Sequence, residues 1–309
     1  MSDFIFKPRK GKSNIKTLTS PNVFRSQSNQ NYIQFSLNSY FINRKTQKIS
    51  YIDILIASVA FICSFILRSY NISDPKAVTF DEQYFGKFTN FYMQKQYFID
   101  VHPPFGKILL YIGARILKYD GKCIFSSSSP YLSDCQYAKL RIIPVFFSSF
   151  CSPYNYLTLR YFDINIFSSL ITMILTMIED CLVIEGKFIL IDGILHCFVS
   201  LSILMVATLY NTPVSAKEFK VKYIFTCISI SLTGSIKHTS FSLIPFAFYV
   251  IFIKILTESL EKYIKEIFYK IIKHLLVFVT IFITIYLSVL IIHLKLTPNV
   301  NPKDSWKLG

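Results

Sequence analysis

The chain has 309 residues, 52% of them hydrophobic and 17% aromatic, with a mean hydropathy of +0.43 and a net charge of +15. Its apolar residues fall in blocks close to the ~20 residues needed to cross a bilayer, so the sequence reads as an all-α polytopic membrane protein. The basic residues are scattered between those blocks as membrane-flanking charge, which argues against a nucleic-acid partner, and the seven Cys include no zinc-type CxxC pairs.

Residues 1–50 carry nine Lys/Arg against one Asp, with much Ser and Asn and no helical periodicity. That composition predicts a disordered basic tail. A secretory signal is not expected, because about fifty mostly polar residues precede the first apolar block. Seven candidate spans follow, at about 51–69, 139–161, 164–184, 188–209, 222–236, 238–257 and 273–295. The second, third and fifth are short or carry polar residues. A long polar connection over about 70–138 separates the first two spans and contains FDEQYFGKFTNFYMQKQYFIDVHPPFGK, beginning at Phe80. Within it, FGKILLYIGARIL has apolar residues at helical spacing, which suits a helix on the membrane surface or a short buried one.

Short-loop charge sets the expected topology. Lys217, Lys220 and Lys222 sit in one loop, and Lys254, Lys262, Lys265, Lys270 and Lys273 sit in another. The positive-inside rule puts these with the N-terminal tail in the cytosol, and puts the long 70–138 loop, Lys237 and the C-terminal residues on the far side.

Ionisable groups within spans are costly and are functional candidates by default. Arg141 opens the second span, Glu179 and Asp180 lie late in the third, Asp192 lies early in the fourth, and Lys237 and His238 sit between the fifth and sixth. Most of them fall near the far-side surface, the side of Asp81 and Glu82. Carboxylates facing cations at one surface suit a substrate with an anionic, lipid-embedded head. Simpler readings stand beside this one. Glu179 and Asp180 can be solvated span ends, Asp192 can pair with Lys187 to hold two helix ends, and His196 can be a packed residue. The company of Asp81 and Glu82 raises them above a plain loop pair, because each ring of Pro103 and Pro104 locks φ near −65°, and His102 and Lys107 follow closely.

FDEQYFGKF followed by YFIDVHPPFGKIL resembles the first luminal loop of the eukaryotic protein O-mannosyltransferases. The similarity continues in order through AKLRIIPVFFSSF, IEDCLVIEGKFILIDGIL and SIKHTSFSLI, covering about residues 50–260. The resemblance implies a GT-C-type membrane glycosyltransferase in the endoplasmic reticulum. Such an enzyme transfers mannose from dolichyl-phosphate mannose to Ser or Thr of secretory proteins, with inversion. It implies a transmembrane domain over 51–296 and a homo- or heterodimer with another family member; as a departure, the family's luminal MIR repeats are not expected in 297–309, which reads as a short luminal tail. The family's acidic pair falls on Asp81 and Glu82, its HPP on His102 to Pro104, and its following lysine on Lys107. Its second-span arginine falls on Arg141, its membrane-edge aspartate on Asp192, and its Ser-x-Lys on Ser235 and Lys237.

The chemistry suits those residues. An acceptor hydroxyl needs a carboxylate to take its proton, which makes Asp81 the expected base, with Glu82 orienting acceptor or base. The leaving dolichyl phosphate gains charge as the glycosidic bond breaks, so fixed cations should hold it, with Arg141 and Lys237 first and Lys107 and His102 behind them. No metal or further cofactor is expected. An oxidising lumen favours a bridge between Cys123 and Cys135, the alternative being two free thiols. The sequence departs from the family at Lys187, Gly193 and His238, where Arg, Pro and Trp are usual. A non-catalytic partner subunit is the alternative function. A transporter fits less well, since no internal repeat is visible and the charges gather at one surface.

Overall fold

A computed structural model describes residues 48–258 and 264–300. The expected basic tail lies outside these residues up to position 47, as does the C-terminal segment beyond position 300. Among the described residues the fold is helical, with only isolated bridges between Ala77 and Pro130 and between Gln96 and Asn299.

Helix α1 (Tyr51–Ser69) starts at a capping box, in which Ser50 accepts from the Asp53 amide and the Asp53 carboxylate accepts from the Ser50 amide. Asp53 also accepts from Tyr156 Oη and Arg160 Nε, each at 2.8 Å, which ties α1 to α5 (Cys151–Tyr161). At the other end of α1, fully buried Arg68 donates to Ser64 and to the Met177 carbonyl.

The long connection folds around α2 (Glu82–Met93) and α3 (Phe105–Ile116). Helix α3 packs as a short buried helix on one face, with Leu110 and Ala114 at 0% exposure and Ile112 and Ile116 outward. The connection is stapled by a disulfide between Cys123 and Cys135, whose Cα atoms lie 4.8 Å apart.

The second expected span is broken into α4 (Tyr137–Ser148) and α5, with Ser149 and Phe150 between them. The third is α6 (Ile166–Ile178) and α7 (Asp180–Lys187), bent by 49°. Glu179 sits at the bend and caps α7, accepting from the Leu182 amide at 2.7 Å. It and the adjacent Asp180 are exposed, as the simpler reading of this pair has it.

Helices α8 (Asp192–Tyr210) and α9 (Lys217–Gly234) follow, then a 3-10 turn (His238–Ser242), α10 (Leu243–Thr257) and α11 (Ile264–Leu296). Four of these helical stretches are long and apolar enough to cross a membrane, or five with the bent pair, against the seven spans expected. The remaining expected spans differ from these in local structure. Helices α4 and α5 are each too short, and α9 buries Thr226, Ser229, Ser231 and Thr233 against its neighbours, where hydroxyls bond back to their own helix or across to Ser202. The helices together form a multi-pass membrane protein.

Candidate active site

The acidic pair stands where the chain enters α2. Phe80 takes φ 51°, a left-handed conformation that is costly for a bulky residue. Its ring packs edge-on against Phe188 at 5.6 Å. Asp81 then occupies the N-cap position with its carboxylate exposed and making no cap bond. Glu82, one residue on, points the opposite way and is fully buried.

Glu82 and Arg141 form the densest polar contact of this region. The guanidinium donates from Nε to Oε1 and from Nη2 to Oε2, each at 2.8 Å. Its other three N–H bonds go to the carbonyls of Ile72, Pro75 and Ala77 at 3.0–3.2 Å. Glu82 also accepts from the amides of Thr79 and Ile189 and from Tyr131 Oη. Tyr137, Tyr131 and Phe188 enclose the cation. A guanidinium has five donors, and all five are used. Arg141 therefore has no donor for a lipid phosphate, and its expected role is corrected to that of a clamp holding residues 72–82 on α4. Glu82, expected to orient acceptor or base, is fully buried and forms the clamp's other jaw.

The Glu82 bond to Ile189 sets the acidic pair against the segment that leads into α8. Asp192 opens that helix and accepts from Lys237 Nζ at 2.6 Å. Its alternative partner, Lys187, instead donates to the Tyr70 carbonyl at 2.8 Å. The Lys237 segment is joined to the HPP segment by a bond from the Phe105 amide to the Ser235 carbonyl at 3.0 Å. Gly106 permits this approach, because a Cβ there would lie 3.0 Å from Ile236 and 3.1 Å from Ile191. Gly193, the first departure inside α8, similarly lets α7 come close, since a Cβ would lie 3.0 Å from Gly186 Cα.

Lys107 is buried to 2% exposure. It pairs with Asp100, donates to the His102 carbonyl at 2.6 Å and lies over the Phe88 ring. Burial pulls its pKa down, opposed by Asp100. His102 feels Asp100, Lys237, Lys107 and Asp192 together, and burial, the largest cause, holds its pKa below the ordinary imidazole value. Asp100, which sequence reasoning left unassigned within the quoted DVHPPFGK string, is thus part of the cluster. A groove of about 200 Å³ opens here, lined by Asp100, His102, Lys107, His238, Tyr286 and His293. Helix α11 is pinned beside it by a 2.7 Å bond between Tyr92 Oη and His293 Nδ1.

Four segments, at 80–82, 100–107, 188–192 and 235–238, therefore converge. They bring His102, Lys107, Asp192 and Lys237 into one electrostatic cluster, and the exposed Asp81 belongs to the segment joined to it through the Glu82–Ile189 bond. His196 Nε2 meets Glu185 at 3.4 Å and stands apart from this cluster. Among the described residues no three His, Cys, Asp or Glu converge as a metal-holding group.

The profile described as "Dolichyl-phosphate-mannose-protein mannosyltransferase" matches residues 58–297. The chain belongs to that family. Mannosyltransferase 2 of Candida albicans is 30% identical over 196 residues, covering 62% of this chain and 26% of that one. Mannosyltransferase 4 of Schizosaccharomyces pombe is 30% identical over 237 residues, 73% and 29% of the two chains. Protein O-mannosyl-transferase 1 of Danio rerio is 35% identical over 155 residues, 50% and 21%. A solved structure of the Saccharomyces cerevisiae protein O-mannosyltransferase Pmt1-Pmt2 complex, bound to the sugar donor, superposes with a TM-score of 0.72 at 21% identity over 85% of this chain and 36% of that chain. The mannosyltransferase fold is therefore shared, and the chain spans about a quarter of the length of these curated relatives.

Proposed function

We propose that this mannosyltransferase-family chain transfers mannose from dolichyl-phosphate mannose to Ser or Thr hydroxyls of secretory-pathway proteins, at the luminal face of the endoplasmic reticulum membrane. The observation that carries the reading is the electrostatic cluster of His102, Lys107, Asp192 and Lys237, joined through the Glu82–Ile189 bond to the segment that carries the exposed Asp81.

In this reading Asp81 takes the acceptor hydroxyl's proton as its oxygen attacks the anomeric carbon from the face opposite the phosphate. The bond from that carbon to the phosphate oxygen breaks, the configuration inverts, and dolichyl phosphate leaves with the electron pair. Lys237 gives one N–H to Asp192 and keeps two for phosphate oxygens, so it meets the charge that grows on the leaving group. A phosphate leaving group held by a cation asks for no further cofactor.

The test is mannose transfer by isolated membranes given dolichyl-phosphate mannose and a Ser/Thr-rich peptide. Transfer should appear and should fall by about 10² or more in Asp81→Asn, which keeps size and removes basicity. Near-normal turnover in that variant would remove Asp81 as the base. A second reading is a subunit that works only beside another family member. The two-subunit neighbour favours it. Transfer that depends on a co-expressed full-length relative would select it.

A further inference from the structure

A second groove, of about 890 Å³, lies between α9 and α11. Four lysines line it, Lys220 from α9 and Lys265, Lys270 and Lys273 from α11, against two glutamates. One of the two, Glu258, is already engaged by the Val214 amide at 2.7 Å and by Lys254 at 2.9 Å. The floor is fixed, because Tyr223 Oη donates to the His274 carbonyl at 2.5 Å and its ring packs edge-on against the imidazole at 4.8 Å.

This groove is far from the candidate active site. Helix α11 carries both, with Lys273 in one and His293 in the other. Twenty residues of helix at 1.5 Å each put them about 30 Å apart, the thickness of a bilayer's hydrocarbon core. The two grooves therefore open at opposite membrane surfaces, and the positive-inside rule puts the lysine-lined one in the cytosolic leaflet.

The charge is ordered along the helices. Lys220 stands one turn outward of Ile224 on α9, and Lys273 stands one turn outward of Val277 on α11, with Tyr269 one turn further out on the same face. Ile224, Val277 and Tyr269 are all exposed. Cations at the headgroup level over an apolar wall at the acyl level match an anionic lipid end to end, whereas a free phosphate would use only the outer half.

We infer that the groove between α9 and α11 is a binding site for an anionic phospholipid headgroup of the cytosolic leaflet, its phosphate among Lys220, Lys265 and Lys273 and its acyl chain along Ile224 and Val277. The site is independent of the catalytic reading and would hold for an inactive chain. Lysines near a charged membrane surface typically contribute about fivefold each in affinity.

Native mass spectrometry of the delipidated full chain, titrated with phosphatidylserine, phosphatidylcholine or inorganic phosphate, tests it. Phosphatidylserine should bind in preference to phosphatidylcholine, and the triple variant Lys220→Gln/Lys265→Gln/Lys273→Gln should weaken it at least tenfold. The matching triple Lys→Arg variant should retain it, which separates lost charge from lost fold. Equal binding of the two lipids, phosphatidylserine binding untouched by the Gln variant, or inorganic phosphate binding as tightly as the lipid would each overturn the assignment.

Discussion

Glu82 and Arg141 grip each other through two parallel N–H···O bonds of 2.8 Å, with neither side chain exposed. Removing one partner of such a pair strands a buried charge, which costs about 3–5 kcal/mol. Glu82→Gln and Arg141→Ala should therefore destabilise the fold, seen as a large drop in thermal stability in detergent. Arg141→Lys should fall between, since an ammonium cannot span the carboxylate and three carbonyls. Donor affinity of the molecules that remain folded should be unchanged. A stable Arg141→Ala that has lost donor binding would return Arg141 to the phosphate.

Lys237 and Asp192 are coupled differently, because both are partly open to solvent. Lys237→Met should lower turnover by about 10²–10³, the size seen when one fixed donor to developing charge is removed. Donor affinity should fall less, because charge on the phosphate is greatest as the bond breaks. Equal losses in turnover and affinity, measured by transfer kinetics and donor titration, would make Lys237 a ground-state ligand only.

What the sequence revealed and what it hid follow from the range of each interaction. The acidic pair, the HPP turn and the Ser-x-Lys are local strings, and they could be read directly. The roles within the pair could not. Asp81 and Glu82 are adjacent and chemically alike, and only the start of α2 turns one outward and the other into the core. Arg141 looked like a phosphate ligand because a lone membrane-edge cation is expensive, but its acceptors lie 59 to 69 residues away, on Glu82 at the start of α2 and on the carbonyls of Ile72, Pro75 and Ala77 before it. A hydropathy window likewise runs across Ser149 and Phe150 and cannot see the break there between α4 and α5.

Cys123 and Cys135 close a loop with a sequence separation of 12. A loop of this size implies about 3 kcal/mol from the restricted unfolded chain. Cys135→Ser should lower the melting temperature of the purified protein, and reductant should reproduce the shift in the wild type alone. Alkylation of the unfolded, unreduced protein followed by mass spectrometry reads the pair directly. Label on both thiols would count against it.

Orientation is open to a simple labelling experiment. A glycosylation sequon engineered near Ser126 should be modified in the endoplasmic reticulum, and one near Ser215 should not, because the loop lysines place these segments on opposite sides. The reverse pattern would move the candidate active site to the cytosol.

His102 offers a pH-dependent readout of the cluster. Burial lowers its pKa, and Lys237 and Lys107 push the same way, against the carboxylates of Asp100 and Asp192. The folded protein therefore keeps this ring neutral at a pH where the unfolded chain, at the ordinary value of 6.5, already binds a proton. Whenever the unfolded state binds more protons, stability rises with pH, by at most about 1.4 kcal/mol per pH unit for one group. The contribution is thus complete above 6.5 and is lost as pH falls from there toward the lowered folded pKa. His102→Gln removes the titration while keeping a polar side chain. Melting temperatures of wild type and variant, followed from pH 7.5 down to 5, should separate progressively in slope below 6.5, with the wild type falling more steeply. The other histidines are common to both proteins, so any contribution from them cancels in the difference. Parallel slopes would mean that His102 titrates alike in both states and is not held among these four charges.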